Sequence, residues 1–149
     1  MRSVYRALAG LIAIGVVVQA MSVALGWFTA LKDMDDGAVI DKNTDFNLGQ
    51  GLHGIIGIMV IPALALLLLI VSFFARVEGG IKWALYVLGV VVLQVALAFG
   101  AWGLPAIGAL HGLNAFALLA VASIAARKAA GPPAAAATES PAAPTEAAR

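Results

Sequence analysis

Residues 81–126 read IKWALYVLGVVVLQVALAFGAWGLPAIGALHGLNAFALLAVASIAA. Lys82 is the one charged side chain in that stretch, and Gly103-Leu104-Pro105 lies near its middle. As a single helix it would extend about 70 Å at about 1.5 Å per residue, more than twice the roughly 30 Å of a bilayer's hydrocarbon core. Proline lacks the N–H that a helix interior needs, and the glycine before it weakens the turn. The stretch therefore predicts two membrane spans, over residues 81–103 and 105–126. Similar apolar runs lie at 4–31 and 48–75. Each is long enough to cross a bilayer, with tilt where it exceeds the thickness.

Composition points the same way. Of 149 residues, 62% are hydrophobic and 11% charged, whereas a soluble domain is about one-quarter charged. So few charges cannot cover a water-facing surface, which excludes a soluble domain. The expected fold is all-α: an integral membrane four-helix bundle over residues 1–128, made of two helix hairpins. The lipid bilayer is its first expected partner, and nucleic acid is not one. The absence of Cys excludes disulfides, thiolate metal sites and a covalently attached c-type haem.

Basic residues set the expected orientation, because Lys and Arg favour the cytoplasmic side. Arg2 and Arg6 precede the first span, Arg76 and Lys82 flank the second connection, and Arg127 and Lys128 follow the fourth span. The first connection carries Asp33, Asp35, Asp36, Asp41 and Asp45 against Lys32 and Lys42. Both termini are thus expected in the cytoplasm and the acidic loop outside. Trp27 and Trp102 fall at outer ends, Tyr5 and Trp83 at inner ends. The first run is longer than a signal peptide's apolar core and is read as an uncleaved span. Residues 129–149, rich in Ala and Pro, are expected to form a disordered cytoplasmic tail.

The two hairpins repeat an order of features. The first runs from Gln19 through Leu25-Gly26-Trp27 to Leu48-Gly49-Gln50-Gly51-Leu52-His53-Gly54. The second runs from Gln94 through Phe99-Gly100-Ala101-Trp102 to Ile107-Gly108-Ala109-Leu110-His111-Gly112. Each has a Gln in its first helix, a glycine and an aromatic residue at the exit, and His-Gly in its second helix. Polar residues are rare in these spans, so matched ones argue against chance. The repeat predicts a pseudo-two-fold axis along the membrane normal.

His53 and His111 are the two histidines of the chain, at matched depth. Ionisable side chains inside a membrane face a bundle interior or cavity and mark candidate functional sites. One reading is packing: each ring hydrogen-bonds a neighbouring helix. The sharper reading is axial ligation of one haem b iron from both sides. Gly54 and Gly57 beside His53, and Gly108 and Gly112 beside His111, would clear the slot that a flat macrocycle needs; close helix packing also explains them. Gln19 and Gln94 would either donate to the haem or a ligand's second nitrogen, or hydrogen-bond each other. Asn114 is either a support for His111 or a helix–helix link. Lys32 and Lys42 would pair with haem propionates or simply solvate the loop.

Other chemistries lack essential groups. Zinc or copper wants a third ligand, and a proton relay wants a buried acid; every acid here sits in a loop or tail. Asp41-Lys-Asn43-Thr-Asp45 begins with calcium-loop spacing but has Phe46 at the sixth position and Leu52 at the twelfth. It is read as a solvated acidic loop.

These residues resemble one half of a haem A synthase. That family has two four-helix halves, each with histidines on its second and fourth helices, the positions of His53 and His111 here. The segment from Gln94 through Leu104 to His111-Gly-Leu-Asn-Ala is similar to the family's third-to-fourth-helix stretch. The family's catalytic half has a Glu and an Arg where this chain has Gln50 and Gly54. The resemblance therefore implies haem binding rather than haem A synthesis. It implies a small b-type cytochrome of a bacterial-type inner membrane, transferring electrons or handling haem. Quinone is a candidate electron partner, and a homodimer would restore an eight-helix assembly. The alternative is a haem-free accessory subunit of a larger respiratory membrane complex; a transporter-like role would want buried charge.

Overall fold

The computed structural model describes residues 1–130, and among them there is helix and no strand. The tail expected from residue 129 therefore lies outside the described residues except for Ala129 and Ala130, which form a turn. Helix α1 spans Arg2–Asp35. Beyond the 36–47 loop, α2 (Leu48–Ile55), a π-helical turn (Ile56–Val60) and α3 (Ile61–Ser72) follow one another without a break. Helix α4 spans Gly80–Gly103 and α5 spans Pro105–Lys128. With α2–α3 taken together, these are four helices long and apolar enough to cross a membrane. Hydrocarbon offers no partner to a free N–H or C=O, so a span must satisfy its backbone internally, as a helix does.

Local chemistry fixes the helix ends. Asn47 and Gln50 form a reciprocal capping box at the start of α2. Leu104 is extended (φ −139°, ψ 101°), the conformation favoured before proline, and Pro105 opens α5 where its missing N–H costs nothing. Gly79 enters α4 with φ 66°, a left-handed conformation that favours glycine. The Tyr5 hydroxyl, buried, donates to the Gly80 carbonyl at 2.9 Å and ties α1 to that turn.

Pro62 has a further effect. It offers no N–H to Ile58, four residues back, and its ring crowds that carbonyl. The preceding backbone widens into the π turn, in which the Ile61 N–H donates to Ile56, five residues back.

The helices close a ring: α1 packs on α2–α3 and on α5, and α4 packs on α3 and α5. The core is confined to one half of that ring. It is built from Tyr5, Ala9, Ile12 and Val16 of α1, Ile61, Ala65 and Leu68 of α3, Ala84, Val87 and Val91 of α4, and Leu118, Ala122 and Ala125 of α5. The small residues let helices approach closely. Toward the 36–47 loop, the buried helix positions are Ser22, Gly26, Ala30 and Gly49, all on α1 and α2. The outward faces are apolar, with Trp102 82% and Phe116 71% exposed. That surface suits lipid, as in a multi-pass membrane protein.

Candidate functional site

His53 on α2 and His111 on α5 meet in the thinly packed half of the ring. Their ring centroids are 6.2 Å apart and their planes inclined at 66°. Helix α2 packs on α1 and has no comparable contact with α4 or α5. The histidine pair thus links α2 to α5, two helices that do not otherwise pack on each other.

Each imidazole is tied to a glutamine of its own hairpin. His53 Nδ1 lies 3.2 Å from the Gln19 carbonyl oxygen, and Gln19 Nε2 donates to the His53 carbonyl at 3.0 Å. His111 Nδ1 lies 3.0 Å from the Gln94 carbonyl oxygen, and Gln94 Nε2 donates to the His111 carbonyl at 3.0 Å. A carbonyl only accepts, so Nδ1 carries the proton in both rings. In the neutral imidazole this leaves Nε2 with its lone pair. Gln94 Nε2 also sits 3.2 Å from His111 Nε2 and can donate to it.

The glutamine amides are held in turn. Asn114 Nδ2 donates to Gln94 Oε1 at 2.6 Å and to the Val90 carbonyl at 3.1 Å. Asn114 is thus both a helix–helix link and a support behind Gln94. In the first hairpin Ser22 Oγ donates to the Val18 carbonyl at 2.8 Å and lies 3.4 Å from Gln19 Oε1, a weaker alternative acceptor for its one proton. No buried side-chain polar atom among the described residues lacks a partner. The two glutamines do not hydrogen-bond each other. Their amides reach the histidine backbone, both Nδ1 atoms take main-chain carbonyls, and His111 Nε2 meets the Gln94 amide.

The four glycines differ. A Cβ on Gly54 or Gly112 would meet nothing within 4 Å. A Cβ on Gly57 would lie 2.5 Å from Gln19 Nε2, so Gly57 makes room for the glutamine amide rather than for an empty slot. Gly108 faces Ala101 of α4 at an ordinary 3.7 Å.

Sequence reasoning passed over three features. Pro62, inside an apolar run, was the available sign of the π turn just beyond His53. Ser22 stands one turn after Gln19, the usual spacing for a helix-face neighbour. Gly26 and Gly49 form a backbone-to-backbone crossing of α1 and α2: a Cβ on Gly26 would lie 2.8 Å from the Gln50 nitrogen, and one on Gly49 would strike Gly26 itself. Asn47 Nδ2 seals that crossing by donating to the Gly26 carbonyl at 2.8 Å.

The loop groups lie apart from the histidines. Lys32 pairs with Asp36 on the surface. The Asp41 carboxylate accepts the Asn43 N–H at 2.8 Å within its own turn. Among the described residues no three His, Cys, Asp or Glu side chains come together as a metal-ligand set. The site therefore offers a pair of imidazoles, which could supply two protein ligands to a cofactor. No protein-family profile, curated protein or solved structure matches this chain.

Proposed function

We propose that the chain is a small b-type membrane cytochrome that holds one haem b between His53 and His111. The histidine separation carries this reading. Their ring centroids lie 6.2 Å apart on helices of different hairpins, so these two imidazoles would be the residues to hold a haem iron. Both Nδ1 atoms are occupied by carbonyls, the outer-sphere bond that orients a metal-binding histidine and makes it more basic. His111 Nε2 would have to give up its contact with Gln94 Nε2 to hold iron, and Gln94 could keep its bond to the His111 carbonyl. Gly54 and Gly112 leave open faces beside the rings.

Bound haem would supply one-electron redox chemistry. Held by two histidines, it would favour electron transfer or haem handling over oxygen chemistry. The matched Gln–His pairs support the two hairpins as an internal repeat. The basic residues favour cytoplasmic termini in a bacterial-type inner membrane. Quinone as electron partner and a homodimer extend this proposal.

A second reading has its own observation. A centroid distance of 6.2 Å at 66° is also ordinary edge-to-face packing, and both rings already have hydrogen bonds. This favours a haem-free accessory subunit whose histidines pin the hairpins together.

Absorption spectra of protein purified in mild detergent from haem-supplied cells separate the two. The cytochrome gives a sharp Soret band and a resolved α band on reduction, absent from both His53→Ala and His111→Ala. Colourless, folded protein that takes up no added haem would leave the packing reading.

A further inference from the structure

A groove at the opposite end of the bundle has the shape and charge of half a phospholipid. It runs along α1 where that helix meets the end of α5, and is lined by Arg2, Arg6, Gly10, Leu11, Ile14 and Ala129. Arg2 and Arg6 are one helical turn apart and both exposed. Arg2 Nε donates to the Ala129 carbonyl at 3.0 Å, which fixes that guanidinium at the groove's mouth and leaves its remaining N–H groups available. Neither arginine has a carboxylate partner among the described residues. Like charges at this spacing repel, and an anion between them removes the repulsion.

Below the arginines the lining turns apolar. A Cβ on Gly10 would meet nothing within 4 Å, so the groove stays open there. From Arg2 to Ile14 is about 18 Å of helix, close to the depth of one leaflet with its headgroup, given a hydrocarbon core of about 30 Å for two leaflets. A charged mouth above an apolar trough one leaflet deep fits a phosphate-bearing lipid with an acyl chain lying along Gly10, Leu11 and Ile14. Guanidinium is well matched to phosphate through paired N–H donors.

We infer that this groove is a binding site for an anionic phospholipid, with Arg2 and Arg6 on the headgroup phosphate and Gly10 admitting the acyl chain. The inference is independent of the histidine pair. Other basic residues cluster at this end, among them Arg76, Arg127 and Lys128. The site is distinguished from their general attraction by the groove itself.

Native mass spectrometry of the full chain in detergent tests it, with phosphatidylglycerol and phosphatidylcholine added in turn. Retention of phosphatidylglycerol over phosphatidylcholine is expected. Arg2→Gln and Arg6→Gln should each weaken it about fivefold, the usual worth of one basic residue at an anionic surface. Arg76→Gln should leave it unchanged. Gly10→Leu, which keeps every charge, should weaken it by a similar factor, and glycerol phosphate without acyl chains should not compete. Equal retention of the two lipids would overturn the site. So would a Gly10→Leu protein that binds as the parent does, because attraction would then be diffuse charge rather than a groove.

Discussion

Gln94 and His111 are joined at three points: Gln94 Nε2 donates to the His111 carbonyl at 3.0 Å and approaches His111 Nε2 at 3.2 Å, while His111 Nδ1 meets the Gln94 carbonyl at 3.0 Å. One glutamine thus sets the tautomer, the tilt and the outward nitrogen of the ring. Gln19 makes the first and third of these bonds with His53, without a contact to Nε2. Gln94→Leu should therefore cost more than Gln19→Leu, because it also strands Asn114. The expected losses are about 1–2 and about 0.5–1 kcal/mol, the range of hydrogen bonds between membrane helices. Thermal unfolding of the two variants in one detergent checks the order. Equal losses would mean that Asn114 adds nothing through Gln94.

The α1–α2 crossing should be the least tolerant place in the chain. Gly49→Leu drives a side chain into the Gly26 backbone, which cannot rotate away. A loss of at least about 3 kcal/mol is expected, as for severe overpacking. Proteolysis in detergent should then cut the 36–47 loop much faster than in the parent.

Gly54 and Gly112 should behave in the opposite way. Gly112→Leu meets open space and should change the stability of the haem-free protein by no more than about 0.5 kcal/mol. If the macrocycle lies beside that face, the same change weakens haem binding by roughly fivefold to 150-fold, the effect of about 1–3 kcal/mol of overpacking. Haem titration followed at the Soret band reads this. Unchanged affinity would remove Gly112 from the site.

Pro62→Ala restores an N–H where the π turn now relieves its absence. Return to a regular α-helix would turn His53 by about 100° relative to α3, one residue's rotation. The His53 Nδ1 bond to Gln19 should weaken while that of His111 to Gln94 persists. Nitrogen NMR of labelled histidine resolves the two rings. Identical spectra before and after the change would show that the π turn does not depend on the proline.

The number and course of the helices were legible because hydrocarbon permits so little else. Long apolar runs must become helices, and Gly103-Leu104-Pro105 had to interrupt the longest of them. The site was legible only as a set of residues. His53, His111, Gln19 and Gln94 stand out because polar side chains are rare in these spans. That each ring would hydrogen-bond a neighbouring helix was legible; which atoms would accept was not. Gln19 reaches a main-chain carbonyl through the gap left by Gly57, a contact made by backbone position rather than side-chain type. The π turn was hidden for a similar reason: Pro62 can kink a helix, widen it or begin one, and the choice depends on packing around it.

The half-ring core has a mechanical consequence. Tyr5, Ile12, Leu68, Val87 and Leu118 clamp one end of the four rods, while toward the 36–47 loop the buried helix positions are those of α1 and α2. The bundle is stiff at its base and compliant at its tips, like tweezers closed at the spring. Spreading the tips would part the His53–His111 contact and leave the clamp in place.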